Sequence, residues 1–150
     1  MTQSKQAGAL DLLSGPWTAV WQQGTEMGKE LLDLVFQEGQ VVGFGTDRDG
    51  EFQHAGSFTP TGTVKLGKVY TRPSRSVPAR MTYLGQWNGR CILGRWVDDR
   101  SSTNAGPFRM WPGHGPDPGE ILGTEAEPSL EAELVAVQTL NNPDQRKHHD

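Results

Sequence analysis

The most constraining feature of this chain is glycine inside segments that otherwise alternate like β-strands. The stretch GQVVGFGTDRDGEFQHAGSF, residues 39–58, alternates apolar with small or polar residues. The turn-forming sequence Asp-Arg-Asp-Gly interrupts this alternation, which then resumes. Glycine weakens a strand interior, so its repeated use there indicates sharp bends or close ring packing. Small barrels bend their strands in this way. The spacing therefore predicts a tightly curved, closed antiparallel β-barrel.

Eight short segments between residues 15 and 112 carry this pattern, each bounded by Gly, Pro, Asn or Asp. Short connections join them, among them Asn88-Gly89, which predicts a two-residue type I′ hairpin turn, and Asp47–Gly50. Consecutive hairpins make a meander, and a meander of eight strands removes its edges by closing. The sequence thus predicts an all-β protein with a single eight-stranded antiparallel up-and-down β-barrel.

The regions outside the predicted barrel have a different composition. Residues 1–14 form a lead-in, and residues 113–150 form a Gly/Pro-rich, acidic linker and tail. Within the tail, Leu130, Leu134 and Val137 fall on one helical face, which predicts a short helix over 129–140.

Charge and length limit the classes of partner. A chain of 150 residues suits one domain, and its net charge of −4 disfavours nucleic acid as a partner. A local run of arginines, Arg72, Arg75 and Arg80, is interrupted by prolines and is expected to be a solvated connection between strands.

The cysteine content and the hydropathy limit the cellular location and the chemistry that can be expected. Cys91 is the single cysteine, so an intramolecular disulfide and a cysteine-rich zinc site are excluded, and a small buried side chain is expected there. The N-terminus lacks the apolar stretch of a signal peptide, and no apolar run is long enough to span a bilayer. A cytoplasmic protein without membrane contact is the expectation.

Three segments, LSGPWTAVW, GRCILGRWV and FRMW, resemble the avidin and lipocalin style of barrel. Those families open with a Gly-x-Trp element, matched here by Gly15 and Trp17, whose ring closes one end of the barrel. The resemblance covers residues 13–111 and implies a fold rather than a ligand. The polar residues with which avidin holds biotin have little counterpart beyond Thr18 and Thr46, so biotin is not expected.

Strand alternation leaves two assignments of the barrel interior open, because a slip of one residue exchanges the faces. The first assignment places polar groups in an apolar pocket that suits an anionic ligand: His54, Lys68, Tyr70, Tyr83 and Arg95. The second, which is favoured, fills the interior with small and apolar residues and leaves Lys68, Tyr70 and Arg95 on the outer wall: Ala55, Ser57, Gly67, Val69, Leu84, Ile92, Gly94 and Trp96.

Catalytic and metal patterns are weak. His54 is the one histidine inside the predicted barrel, and neither a Gly-x-Ser-x-Gly elbow nor a His-Glu-x-x-His pair occurs. Asp47 and Asp49 fail the EF-hand spacing, since Gly45 would be the first ligand and Gly56 the last. No catalytic residue, metal ligand or cofactor is predicted.

The sequence therefore favours a non-enzymatic protein or peptide interaction module, which acts through the outer wall or a barrel mouth. One alternative is a carrier or sensor of a small apolar or anionic molecule inside the barrel, and a second is a barrel isomerase or cyclase. The candidate ligand-binding residues are Lys68, Tyr70, Tyr83, Arg95, His54 and Trp17. The expected partner is a protein or a small molecule, and a homo-oligomer is left open.

Overall fold

A computed structural model describes residues 10–74 and 76–118 as one closed barrel. Each strand pairs antiparallel with the next along the chain, and β1 pairs with β8, which confirms the predicted up-and-down barrel. The strands are β1 (Gly15–Gln23), β2 (Glu26–Gln37), β3 (Gln40–Asp47), β4 (Gly50–Phe58), β5 (Thr63–Pro73), β6 (Met81–Trp87), β7 (Ile92–Asp98) and β8 (Ser101–Pro112). The helix predicted over 129–140 lies outside the described residues.

No helix in the described part of the chain is both long enough and apolar enough to cross a bilayer.

Two of the hairpin turns show how local chemistry sets the pairing. Glu38 and Gly39 both have positive φ, 52° and 78°, and join β2 to β3 as a two-residue turn. The type I′ turn predicted at Asn88-Gly89 is wrong, because pairing between β6 and β7 begins at Trp87 and Ile92 and leaves a four-residue loop. The Asn88 side-chain oxygen accepts hydrogen bonds from the backbone N–H groups of Arg90 and Cys91, and so organises the longer loop.

Glycine lets neighbouring strands and rings approach each other closely. A Cβ atom at Gly56 would collide with the backbone carbonyl of Lys65, and one at Gly94 would collide with that of Leu84. At Gly28 the same atom would meet the indole ring of Trp21. These contacts confirm that the glycines serve the curvature and ring packing of a small barrel.

One end of the barrel is sealed by aromatic rings and is called the closed end. Trp17 is fully buried there, with its ring centroid 5.4 Å from Phe36 and 6.0 Å from Trp87. Its indole N–H donates to the carbonyl of Leu13 at 2.8 Å, and Leu10 is fully buried in the same cluster. The expectation that Trp17 closes one barrel end is confirmed.

The interior face combines the two predicted assignments. In β4, β5 and β6 the inward residues belong to the first assignment, and His54, Lys68 and Tyr83 are each at most 2% exposed. In β7 they belong to the second: Tyr83 pairs with Trp96, and paired residues lie on the same face of a sheet. Arg95 therefore lies on the outer wall, which corrects the first assignment, while the buried Lys68 corrects the second.

Candidate functional site

A group of buried and partly buried ionisable side chains lies inside the barrel, on the side toward the β3–β4 hairpin, and is called the polar cluster: Glu30, Asp47, His54, Lys68, Tyr70 and Tyr83. Lys68 is its centre. The Lys68 Nζ lies 2.6 Å from Glu30 Oε2 and 2.7 Å from Asp47 Oδ2, with the Tyr83 hydroxyl at 3.4 Å. All three ammonium hydrogens thus have an acceptor within the protein.

Glu30 connects the remaining members of the cluster. The Tyr83 hydroxyl donates to Glu30 Oε2 at 2.8 Å, while His54 Nε2 lies 3.5 Å from Glu30 Oε1. The second acidic member, Asp47, accepts from the Tyr70 hydroxyl at 2.7 Å. Two carboxylates therefore share one ammonium and two phenols in a largely buried network, and removing any one member leaves a donor or acceptor without its partner.

The environment fixes the charge state of the two central residues. Burial alone would raise the pKa of Glu30, but the charge of Lys68 and the hydrogen bond from His54 outweigh it and lower that pKa from 4.5 to about 2. Burial likewise opposes the charge on Lys68, yet Glu30 and the neighbouring phenols and carboxylate hold its pKa well above the usual value. Near neutral pH, Glu30 is ionised and Lys68 is protonated.

The two phenols are held in their protonated form. Burial raises the pKa of Tyr83 well above its ordinary value, and the nearby Glu30 carboxylate adds to the effect. The pKa of Tyr70 is also raised, first by burial and then by its hydrogen bond to Asp47, although Lys68 acts in the opposite direction. Both tyrosines therefore act as hydrogen-bond donors to the carboxylates.

A small cavity of about 50 Å³ opens beside the polar cluster and is called the mouth cavity. Aromatic rings form part of its walls, and Trp21 meets Trp96 edge to face, with 6.4 Å between their centroids. The lining consists of Trp21, Gln23, Asp49, Lys68, Tyr70, Pro78, Met81, Tyr83, Trp96 and Asn104. The cavity is therefore large enough for only a few water molecules or ligand atoms.

The six predicted ligand-binding residues fall in four places. Lys68, Tyr70 and Tyr83 line the mouth cavity. His54 reaches the same cluster through Glu30. Trp17 lies at the closed end, and Arg95 lies on the outer wall.

The sequence analysis missed Glu30, the residue that links the cluster. Glu30 lies inside β2, which begins at Glu26, and its side chain is completely buried. The available signal was its parity, because Glu30 alternates in phase with Leu32, Leu34 and Phe36, which all face the core.

A second candidate surface lies on the outside of the barrel. The outer apolar face consists of exposed side chains on β2, β3 and β5: Leu31, Val35, Val42, Phe44 and Val69. Val35 pairs directly with Val42, and Phe44 pairs with Asp33 on one side and Gln53 on the other. Grooves of about 530 and 400 Å³ share Phe44 as a wall.

Neither a protein-family model nor a curated protein matches this chain. Within residues 10–74 and 76–118, no three His, Cys, Asp or Glu side chains are arranged to hold a metal ion. Because barrels of this architecture host many functions, the polar cluster, the mouth cavity and the outer apolar face are the features from which function is argued.

Proposed function

We propose that this barrel is a non-enzymatic protein interaction module, and that the outer apolar face is its docking surface. The occupant is a segment of a partner protein that presents apolar side chains together with Lys or Arg. The barrel serves as a rigid scaffold, and its outer wall does the binding.

The observation that carries this proposal is the grouping of large apolar side chains on one outer wall. Phe44 is 63% exposed, Val42 is 51% and Val35 is 48%. Adjacent pairing places them side by side on β2 and β3, so they form one patch rather than scattered positions. Contiguous exposed apolar surface of this kind is typical of protein interaction sites.

Charge favours a basic partner over a second copy of this chain. Asp33 pairs with Phe44, and Glu51 pairs with Thr46, so both carboxylates lie within or beside the outer apolar face. Neither forms an ion pair with the described residues. A second copy would bring the same carboxylates to the contact, whereas a Lys or Arg side chain would complement Asp33, which faces Pro16 and Phe44 on the neighbouring strands.

The interior supports an interaction module over the carrier alternative. Rings and aliphatic side chains fill the barrel, and the mouth cavity measures about 50 Å³. Cavities that enclose a drug-sized ligand are roughly 300–1,000 Å³.

The fixed charge states of the polar cluster weigh against the isomerase or cyclase alternative. A general acid or base works best with a pKa near the working pH. Glu30, with a pKa of about 2, is a weak base, and Lys68 holds its proton firmly. The two residues are suited to stabilising one another rather than to exchanging protons with a substrate.

Site-specific photo-cross-linking tests the docking surface. A photoreactive phenylalanine analogue replaces Phe44 in the full chain, and its matched control replaces Leu84, which is 53% exposed but lies on β6 outside the outer apolar face. In the native cells, we expect position 44 to cross-link one partner through a segment that contains apolar and basic residues, and position 84 not to do so.

Affinity measurements with the purified partner complete the test. Phe44→Ser should weaken binding by about tenfold or more, as loss of a central apolar contact does, whereas Leu84→Ser should leave it unchanged. Cross-links to a second copy of this chain, to an acidic segment, or equally from both positions would overturn the proposal.

A further inference from the structure

Part of the outer surface of the barrel is buried. Ile92 and Met110 face the core, so the residues next to them in the chain point outward. Those neighbours include Cys91, Leu93 and Trp111, which are at most 6% exposed, whereas the residues of the outer apolar face are between 37% and 63% exposed. This buried surface on β1, β7 and β8 is called the covered wall: Val20, Cys91, Leu93, Arg109 and Trp111.

The chain that follows β8 turns back onto the covered wall and is called the anchored segment, residues 113–118. The Trp111 indole N–H donates to the carbonyl of Gly115 at 3.1 Å. Two residues later, Asp117 Oδ2 lies 2.6 Å from Arg109 Nη2, and both side chains are buried. The first residues of the tail are therefore held against the outside of the barrel.

The burial of Asp117 indicates that the cover has a second part. Asp117 belongs to the anchored segment and not to the wall, yet it is itself only 5% exposed. One side of this residue faces Arg109, so its burial requires further atoms on the side away from the wall. The residues that come next in the chain are the nearest source of such atoms.

We propose that residues 119–140, called the acidic segment, dock on the covered wall of their own chain as an intramolecular strap. Because the segment is already tethered to the wall through residue 118, the contact needs little affinity of its own. Apolar side chains of the acidic segment supply the contact, the last three of them from one face of the helix predicted over 129–140: Ile121, Leu122, Leu130, Leu134 and Val137.

Charge favours the covered wall over the outer apolar face as the docking place of this segment. The acidic segment contains five glutamates and neither Lys nor Arg. The covered wall contains Arg109 and continues into Arg95 on β7, whereas the outer apolar face carries Asp33 and Glu51, which repel an acidic segment. The outer apolar face stays open to a partner, so this proposal does not depend on the proposed function.

Photo-cross-linking within the full chain tests the contact. A photoreactive phenylalanine analogue replaces Leu134, and in the matched control it replaces Thr139, which the helical pattern places on the opposite face. We expect position 134 to cross-link within one chain to residues 91–95 or 107–111, and position 139 not to do so. Cross-links from position 134 to the outer apolar face or to a second chain, or no cross-link at all, would overturn the proposal.

The thiol of Cys91 reports the same contact without a cross-linker, because it is the single cysteine and lies in the covered wall. One variant combines Leu130→Asp with Leu134→Asp, and its control combines Ala132→Asp with Thr139→Asp, so that both carry the same added charge. We expect the leucine variant to react with a maleimide at least about tenfold faster than the unaltered chain, and the control to stay within about twofold. Urea unfolding checks that the barrel itself is equally stable in both, and equal labelling rates in the two variants would contradict the proposed strap.

Discussion

The two ends of the barrel are closed by different physical means. At the closed end, Trp17, Phe36 and Trp87 pack ring against ring with Leu10, and these contacts are non-directional. Toward the other end, Lys68 is buried between two carboxylates, and burial of its charge is tolerated only while both partners are present. A cluster of packed rings can lose one contact and keep the others, whereas removing one member of a buried charge network leaves its partners buried and unpaired.

The largest effect is expected from removing the cation of the polar cluster. Lys68→Met leaves Glu30 and Asp47 buried without their shared ammonium, and should reduce the free energy of unfolding by about 3–5 kcal/mol in urea titrations. Combining it with Glu30→Gln removes one of the stranded carboxylates and should restore part of the loss. Equal stability of the single and double variants would show that the two residues are not coupled.

Trp17→Ala provides the matched loss at the closed end. Removing this fully buried ring should cost about 3–5 kcal/mol through lost burial and a residual cavity. Because no buried ion pair is involved, this cost should be the same at pH 6 and pH 4, as measured by urea unfolding. A cost that depends strongly on pH would contradict this distinction between the two ends.

Acid should weaken the polar cluster through Glu30. The pKa of Glu30 is about 2 in the folded protein against an ordinary value of 4.5, so the unfolded chain binds the proton more readily. The stabilisation is present above pH 4.5 and is lost as the pH falls toward 2, with about 2 kcal/mol gone at pH 3. Glu30→Gln should flatten this part of the stability profile, and an unchanged slope in that variant would contradict the assignment to Glu30.

The smallest effects should come from the two phenols, and they should differ from each other. Tyr83→Phe removes a fully buried donor to Glu30 and should cost about 1.5–3 kcal/mol, the range for hydrogen bonds to charged groups. Tyr70→Phe removes a donor to Asp47 at a half-buried position, where water can substitute, so its cost should be smaller. Thermal unfolding of the two variants side by side would show whether this order holds.

The barrel was predictable because its signals are local. Alternation, glycine in the strands and turn residues such as those of Asp47–Gly50 identify hairpins within about a dozen residues, and eight hairpin-linked strands close in few ways. The resemblance of the Gly15-x-Trp17 element to the opening of avidin and lipocalin barrels indicated the end that is sealed by rings.

The polar cluster was less predictable because it joins residues far apart in the chain. Lys68 and Glu30 are 38 residues apart, and Tyr83 and Glu30 are 53 apart, on strands that do not pair with each other. Alternation assigns a side chain to one of two faces but does not say which residues meet across the lumen. Alternation also did not decide whether Arg95 points into the barrel or away from it. The pairing of Tyr83 with Trp96 shows that it points away.

The most direct test of the difference between the two ends is a carbon-detected NMR titration of the Glu30 side-chain carboxyl in the intact protein. If Lys68 and His54 hold this carboxylate in its charged form inside the barrel, its signal should stay that of a carboxylate at pH 4 and titrate with a midpoint near 2, or not before acid unfolding. A midpoint at or above the ordinary 4.5 would contradict the account, because burial would then outweigh the charge network.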